Sequence, residues 1–362
     1  MGLFYFEKLE FTEFFTSSHL LSFLILFVTI KEYFAAKPPL YIGKYYSLKS
    51  MVREKSVDKN EILAVFLMGC LFVLIHGLSL LITTPFESAG IEPAFENPND
   101  PMNIVYIFMI MLVFTVLILL IAKFWKKQFI QVVILGAVGY TSFYAFFLPL
   151  FYLALPHVFS EFALVAAAIA AIVLVVMLFK YPEWYIIDIC GVIIGTGAIV
   201  IFGMSLGILL VLILLIGLAI YDAISVYKTK HMIDLADTVM DLKLPVLLVI
   251  PKTRGYSLIK ETKRLKEKLE GDDERDAFFM GLGDIVMPGI LVAAVYNNVN
   301  NGLPVVISVM IGTLVGFAIL MTFVMKGKPQ AGLPCLCGGA IAGYIISSYL
   351  SFGELVGLSF SI

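Results

Sequence analysis

Asp222 and Asp284 interrupt stretches of chain that otherwise suit lipid. The first lies in Gly207-Ile-Leu-Leu-Val-Leu-Ile-Leu-Leu-Ile-Gly-Leu-Ala-Ile-Tyr-Asp-Ala-Ile-Ser and the second in Phe278-Phe-Met-Gly-Leu-Gly-Asp-Ile-Val-Met. A carboxylate inside a membrane helix must be neutralised, hydrated or paired, because otherwise it costs several kcal/mol, so such residues usually serve a function. Two carboxylates within hydrogen-bond range cannot both ionise cheaply. They share a proton, and one can then act as general base on a water while the other acts as general acid. That is the chemistry of an aspartic protease. The neighbouring residues suit it: Gly281 and Gly283 flank Leu282 and remove side chains beside Asp284, permitting close approach of a partner helix or a substrate. Tyr221, next to Asp222, offers a phenol for a hydrogen bond near the pair.

The elements that must position these carboxylates are membrane helices. Of 362 residues, 60% are hydrophobic and 14% charged, and the mean hydropathy is +0.98, far from the roughly half-apolar composition of soluble domains. Ten segments satisfy the requirement of about twenty apolar residues per span: 13–30, 61–83, 104–122, 128–153, 162–179, 184–203, 207–227, 278–298, 303–325 and 332–351. Loop charge alternates between them. Segment 31–60 carries seven Lys or Arg, 84–103 none, 123–127 three, 154–161 none, 180–183 one, 204–206 none, 228–277 eleven, 299–302 none, 326–331 two, and the tail from 352 none. The positive-inside rule then makes the basic loops cytoplasmic and places the C-terminus on the other side. Segment 13–30 is short and reads either as an extra span or as a helix lying at the interface. In this topology Asp222 lies about five residues before one helix leaves the membrane and Asp284 about six after the next one enters, both about 8 to 10 Å below the cytoplasmic boundary at 1.5 Å per residue.

Tyr221-Asp222, then Gly281-Leu282-Gly283-Asp284, then a Pro-x-Leu near the start of the last helix resemble the three signatures of the presenilin and signal peptide peptidase family, most of all its microbial homologues. Order, host helices and the long basic loop between the aspartates all match, over the nine segments from about 61 to 351. The resemblance implies an all-α, nine-helix transmembrane bundle, here with an extra N-terminal hydrophobic helix. It further implies an intramembrane aspartyl protease that cuts single-span proteins or signal peptides, with Asp222 and Asp284 as the catalytic pair. One position departs: where the family has Pro-Ala-Leu, this chain has Pro334-Cys335-Leu336. Cys is close to Ala in size and apolar, so packing beside the pair should survive. Pro334, about three residues into its helix, occupies a first-turn position where its missing N–H costs little.

The chain divides accordingly into 1–60, an extra hydrophobic segment and basic loop; 61–227, a six-helix part with the Tyr-Asp motif; 228–277, a cytoplasmic loop; and 278–362, a three-helix part with the other two motifs. Within the loop, Met232, Leu235, Ala236, Val239 and Met240 recur at helical spacing, suggesting a short amphipathic continuation of the preceding helix. Leu244, Pro245, Val246, Leu247, Leu248, Val249 and Ile250 form an apolar run bracketed by Pro245 and Pro251, suited to an edge strand. Such an edge could pair with substrate: a helical span hides its peptide bonds, must unwind to be cut, and then needs new hydrogen-bond partners. The resemblance implies the same role for the strand before the second aspartate. Residues 257–276 are charge-rich, with Leu258, Leu265 and Leu269 on one face, and read as a solvated helix or linker.

Other titratable residues have plainer readings. Asp188, in Trp184-Tyr-Ile-Ile-Asp-Ile-Cys, could partner either aspartate, but an Asp in the first turns of a helix commonly serves its dipole. His76 has no second ligand at metal spacing and reads as a packed or hydrogen-bonded histidine. Gly191-x-x-x-Gly195 and Gly312-x-x-x-Gly316 are helix-packing surfaces. Cysteines 70, 190, 335 and 337 all lie in apolar stretches, so no structural disulfide is expected. The N-terminus lacks a basic region of the cleavable-signal kind. No His-Glu-x-x-His, Gly-x-Ser-x-Gly or nucleotide loop occurs, which leaves zinc, serine and nucleotide chemistries unsupported. No cofactor, metal or nucleic acid is expected. Partners are the lipid bilayer and the substrate; self-association is allowed, with no obligatory subunit. A prepilin-type peptidase shares Gly-x-Gly-Asp but not the rest, and a transporter or channel relaying cations or protons through the two aspartates is the alternative from another class.

Overall fold

A computed structural model of the chain describes residues 59–88, 93–95, 97–110, 113, 132, 135–146, 160–224, 226, 247–253, 255–259, 277–325 and 330–358. The expected span 13–30, most of the basic loop before residue 60, the amphipathic continuation at 232–240, Leu244, Pro245 and Val246, and most of the charged 257–276 stretch lie outside the described residues. Long apolar helices dominate what remains. They are α1 (Lys59–Ser88), α2 (Ser160–Lys180), α3 (Trp184–Ser205), α4 (Ile208–Ile224), α5 (Leu282–Asn298), α6 (Leu303–Met325) and α7 (Gly332–Phe352). Helical residues at 102–110 and 135–146 overlap two further expected spans. Five of the helices are long and apolar enough to cross a membrane, and α4 and α5 are shorter apolar ones. The periodic, charge-poor segments thus become the spans that their hydropathy requires.

Burial separates the helices into a centre and a rim. In α3 and α5 most residues are buried, whereas α1, α2, α6 and α7 each expose a row of large apolar side chains, among them Phe66, Phe162, Ile311 and Leu350. Exposed apolar rows are the face a bilayer solvates. The central helices approach closely because glycines admit them: Gly203 of α3 meets the backbone at Ala293 of α5, and Gly289 of α5 meets Ile199 of α3. On the rim, α6 and α7 interlock through Gly312 against Gly339 and Gly316 against Cys335, the close backbone approach that drives helix association in lipid.

The chain also contains a small antiparallel sheet. Strand β1 (Leu247–Pro251) pairs with β2 (Ala277–Gly281) in a register that sets Leu247 opposite Gly281, Val249 opposite Phe279 and Pro251 opposite Ala277. This corrects one expectation. The span expected at 278–298 begins as a strand, and α5 starts only at Leu282. The reason is pairing: Ala277-Phe-Phe-Met-Gly continues the apolar run of the helix, and only β1, distant in sequence, recruits it to a ladder. Of the strand expected at 244–250, residues 247–250 are strand, which runs on through Pro251; it is one of the two strands of the sheet, paired with β2 on one side and facing α3 on the other. Leu248, Val249 and Ile250 are all buried.

Candidate active site

Asp222 sits two residues before the last residue of α4 and is 3% exposed. Asp284 is the third residue of α5, half-buried, in the first turn where an acidic side chain complements the helix dipole. Asp284 is therefore closer to its helix end than a span starting at 278 would put it, because β2 displaces the start of α5. Between them stands the N-terminus of α7. Its cap residue, Ala331, provides no side-chain hydrogen bond, and the first N–H groups of a helix have no partners within it. The Leu333 N–H donates to Asp222 Oδ2 at 3.2 Å, so a carboxylate from another helix supplies the cap.

The adjacent residue meets the other carboxylate. A Cβ placed on Gly332 would lie 2.9 Å from Asp284 Oδ2 and 3.2 Å from its Cγ, inside van der Waals contact. Gly332 and Leu333 are consecutive, with Cα atoms about 3.8 Å apart, so one turn of α7 gathers both aspartates. Neither residue stood out in the sequence. Gly332 carries no motif, and its value is the side chain it lacks at the point where α7 runs past Asp284.

The Pro-x-Leu motif now has a local explanation. Pro334 is the third residue of α7, where an N–H would be another donor to satisfy at a buried helix end, and proline has none. Leu336 is fully buried and anchors the turn. Cys335 is half-buried and packs against the core, and its carbonyl faces Gly316 of α6. A small residue suffices there, so cysteine is accommodated where the family has alanine.

On the Asp284 side, Gly281 is the extended cap residue of α5, and a Cβ on it would stand 3.5 Å from Asp284 Oδ2, in ordinary contact. Leu282 is buried against α3, Gly283 is half-buried, and Tyr221 is 39% exposed. One residue beyond Asp284, the Ile285 carbonyl accepts a hydrogen bond from His76 Nε2 of α1 at 3.0 Å, which requires the proton on Nε2. Pro288 has no N–H to donate four residues back, to the carbonyl of Asp284 itself. His76 is thus a buried hydrogen-bond donor to the first turns of α5, in line with its plainer reading.

Beside the site, β1 and the residues after it are fastened to the bundle. The Val249 N–H donates to Asp188 Oδ1 at 2.8 Å. Glu183 accepts from the Ser257 hydroxyl at 2.7 Å and the Leu258 N–H at 3.1 Å. Lys252 pairs with Glu61 at 3.3 Å and lies over the Phe278 ring, 4.3 Å from its centroid. Asp188 contacts β1 rather than serving the dipole of its own helix.

Comparison with known proteins agrees with this arrangement. Residues 69–353 match the family model described as signal-peptide peptidase, presenilin aspartyl protease. A presenilin family intramembrane aspartate protease solved in space group C222 is similar with TM-score 0.57 and 31% identity, over 80% of this chain and 100% of that one. A presenilin family intramembrane aspartate protease in space group P2 gives TM-score 0.58 and 34% identity, over 78% of this chain and 97% of that one. No curated protein matches. With a family match over most of its length and two protease neighbours of the same fold, the chain belongs to the signal-peptide peptidase and presenilin family and is a multi-pass intramembrane aspartyl protease.

Proposed function

We propose that Asp222 and Asp284 are the catalytic pair and that the chain hydrolyses peptide bonds within membrane-spanning helices of single-span proteins or signal peptides. The observation that carries this reading is the meeting of both carboxylates at Gly332 and Leu333. One carboxylate removes a proton from water as the oxygen attacks the scissile carbonyl. The other donates its proton to that carbonyl oxygen, and collapse of the tetrahedral intermediate sends a proton to the departing amine. One proton shared by the pair before and after the cycle balances these steps. Tyr221, Gly281, Leu282, Gly283, Pro334, Cys335 and Leu336 frame the pair, the glycines and Cys335 by leaving room and the apolar residues by packing. The ion-pathway reading of the two aspartates gains nothing from the family or from the neighbours.

Substrate pairing belongs to the sheet, by its β2 edge. Strand backbone groups alternate sides; the Val249 N–H points to Asp188, so Val249 and its opposite residue Phe279 direct their N–H groups away from each other. The outer edge of β1 is covered by α3, whereas Phe278, Phe279 and Gly281 of β2 are half-buried. An unwound substrate strand added there would run directly to the turn that carries Asp284. The basic loops face the cytoplasm, the parts 61–227 and 278–362 each contribute one aspartate, and the chain acts without an obligatory subunit.

The test is direct. Purified protein in detergent, incubated with a single-span substrate, cleaves it; Asp222→Asn and Asp284→Asn each reduce cleavage to background. Persisting cleavage in either variant removes the pair from the mechanism.

A further inference from the structure

Asp188 is a third carboxylate near the reaction site, and the mechanism above does not use it. It is 7% exposed, the fifth residue of α3, and its Oδ1 accepts the outward N–H of Val249. Gly191 and Gly195 follow on the same helical face, three and seven residues on. A Cβ on Gly191 would lie 2.7 Å from Leu248 Cδ2, and one on Gly195 would lie 3.1 Å from Leu282 Cδ1. This stripe of α3 therefore holds, in order, the backbone of β1, a side chain of β1, and the residue two before Asp284. The two glycines serve as seats for the strand and for the Gly-Leu-Gly-Asp segment.

We propose that Asp188 is a positioning residue for the reaction at Asp222 and Asp284. By holding Val249 it fixes β1 to α3. The β1–β2 ladder carries that placement to Gly281, the cap residue of α5, and so to Asp284 in the first turn. Val249 is 2% exposed, so without Asp188 its N–H would be buried without this acceptor and β1 would have to shift to find another. The same contact closes the outer edge of β1 and leaves β2 as the edge for substrate. This role rests on the Asp222–Asp284 reading, and it asks for an acceptor oxygen at position 188 rather than a titrating acid.

Asp188→Asn keeps the acceptor and Asp188→Ala removes it. In the full-length purified protein, Asp188→Asn retains cleavage of a single-span substrate within about threefold. Asp188→Ala loses about tenfold or more, in kcat rather than KM. Hydrogen exchange at the Val249 amide reads the contact without catalysis: protected in wild type and Asp188→Asn, exposed in Asp188→Ala. From the other side, Val249→Pro deletes the donor, reproduces the loss, and in combination with Asp188→Ala adds nothing further. Full activity in Asp188→Ala overturns the proposal, as does an Asp188→Asn protein as inactive as Asp284→Asn, which would make Asp188 a titrating participant. If Asp188→Ala fails to fold, Val249→Pro decides: wild-type cleavage overturns the proposal and a matching loss supports it. Cleavage persisting in Asp222→Asn would instead defeat the catalytic pair, and Val249 exchange would still report on Asp188.

Discussion

Gly332 sets how near α7 can come to Asp284, and the consequence of filling it can be stated. An alanine there would press its Cβ onto Oδ2. The carboxylate is the softer neighbour, so it moves and the fold survives. Gly332→Val is expected to leave Tm nearly unchanged while kcat falls on the order of a hundredfold, the penalty of misplacing a reacting group by about 1 Å; cleavage kinetics and a thermal melt on one preparation check both halves. His76 calls for the opposite pattern. It is 1% exposed and holds the Ile285 carbonyl, so His76→Ala removes a buried donor and leaves a cavity. The expected result is a loss of about 1 to 3 kcal/mol in stability, seen as a lowered Tm in detergent and partly restored by His76→Gln.

At the level of elements, the strands divide their labour. β1 is buried and fastened by Asp188, and the residues that follow it are held by Glu183 and the Lys252–Glu61 pair, while β2 leads into the helix that bears Asp284. Proline at Phe279 would delete an N–H that points away from β1, so the existing ladder keeps its bonds and only an added strand loses one. Phe279→Pro is therefore expected to slow cleavage of a helical span severalfold more than cleavage of a short unfolded peptide with the same scissile bond. Equal losses on the two substrates would exclude β2 as the pairing edge. On the other side of the site, Gly316 lets α6 meet the carbonyl of Cys335, so the glycine pairs of α6 and α7 also set the reach of the turn that caps Asp222.

For the molecule as a whole, mostly buried α3 and α5 form the centre, and the more exposed helices meet lipid. The described tail folds back over this bundle: the Tyr344 hydroxyl donates to the Val356 carbonyl, and Gly357, at φ 78°, packs against Ile208. The proposed orientation places the dyad near the cytoplasmic face and this tail on the opposite side. Single cysteines at Lys266 and at exposed Asn300, in a chain whose four native cysteines are replaced, should therefore react oppositely with a membrane-impermeant maleimide in right-side-out vesicles. Labelling at 300 but not 266 is the expected outcome, and the reverse would invert the topology.

The sequence by itself determined the described spans apart from the start of α5, the two aspartates and the motifs around them. Hydropathy, loop charge and short spacings are local properties and can be read along the chain. It also determined that a strand lies between the aspartates, since Pro251 and the β-branched run restrict that segment. Only the tertiary structure decided that Ala277-Phe-Phe-Met-Gly is a strand, because its apolar run is continuous with α5 and its partner lies elsewhere in the chain. The same holds for Asp188 and Val249, 61 residues apart, and for Asp222 and Leu333, 111 apart. No local pattern encodes which N–H a buried carboxylate will meet, or where a missing side chain lets two helices touch. Those pairings arise when packing removes water and each buried polar group must find a partner.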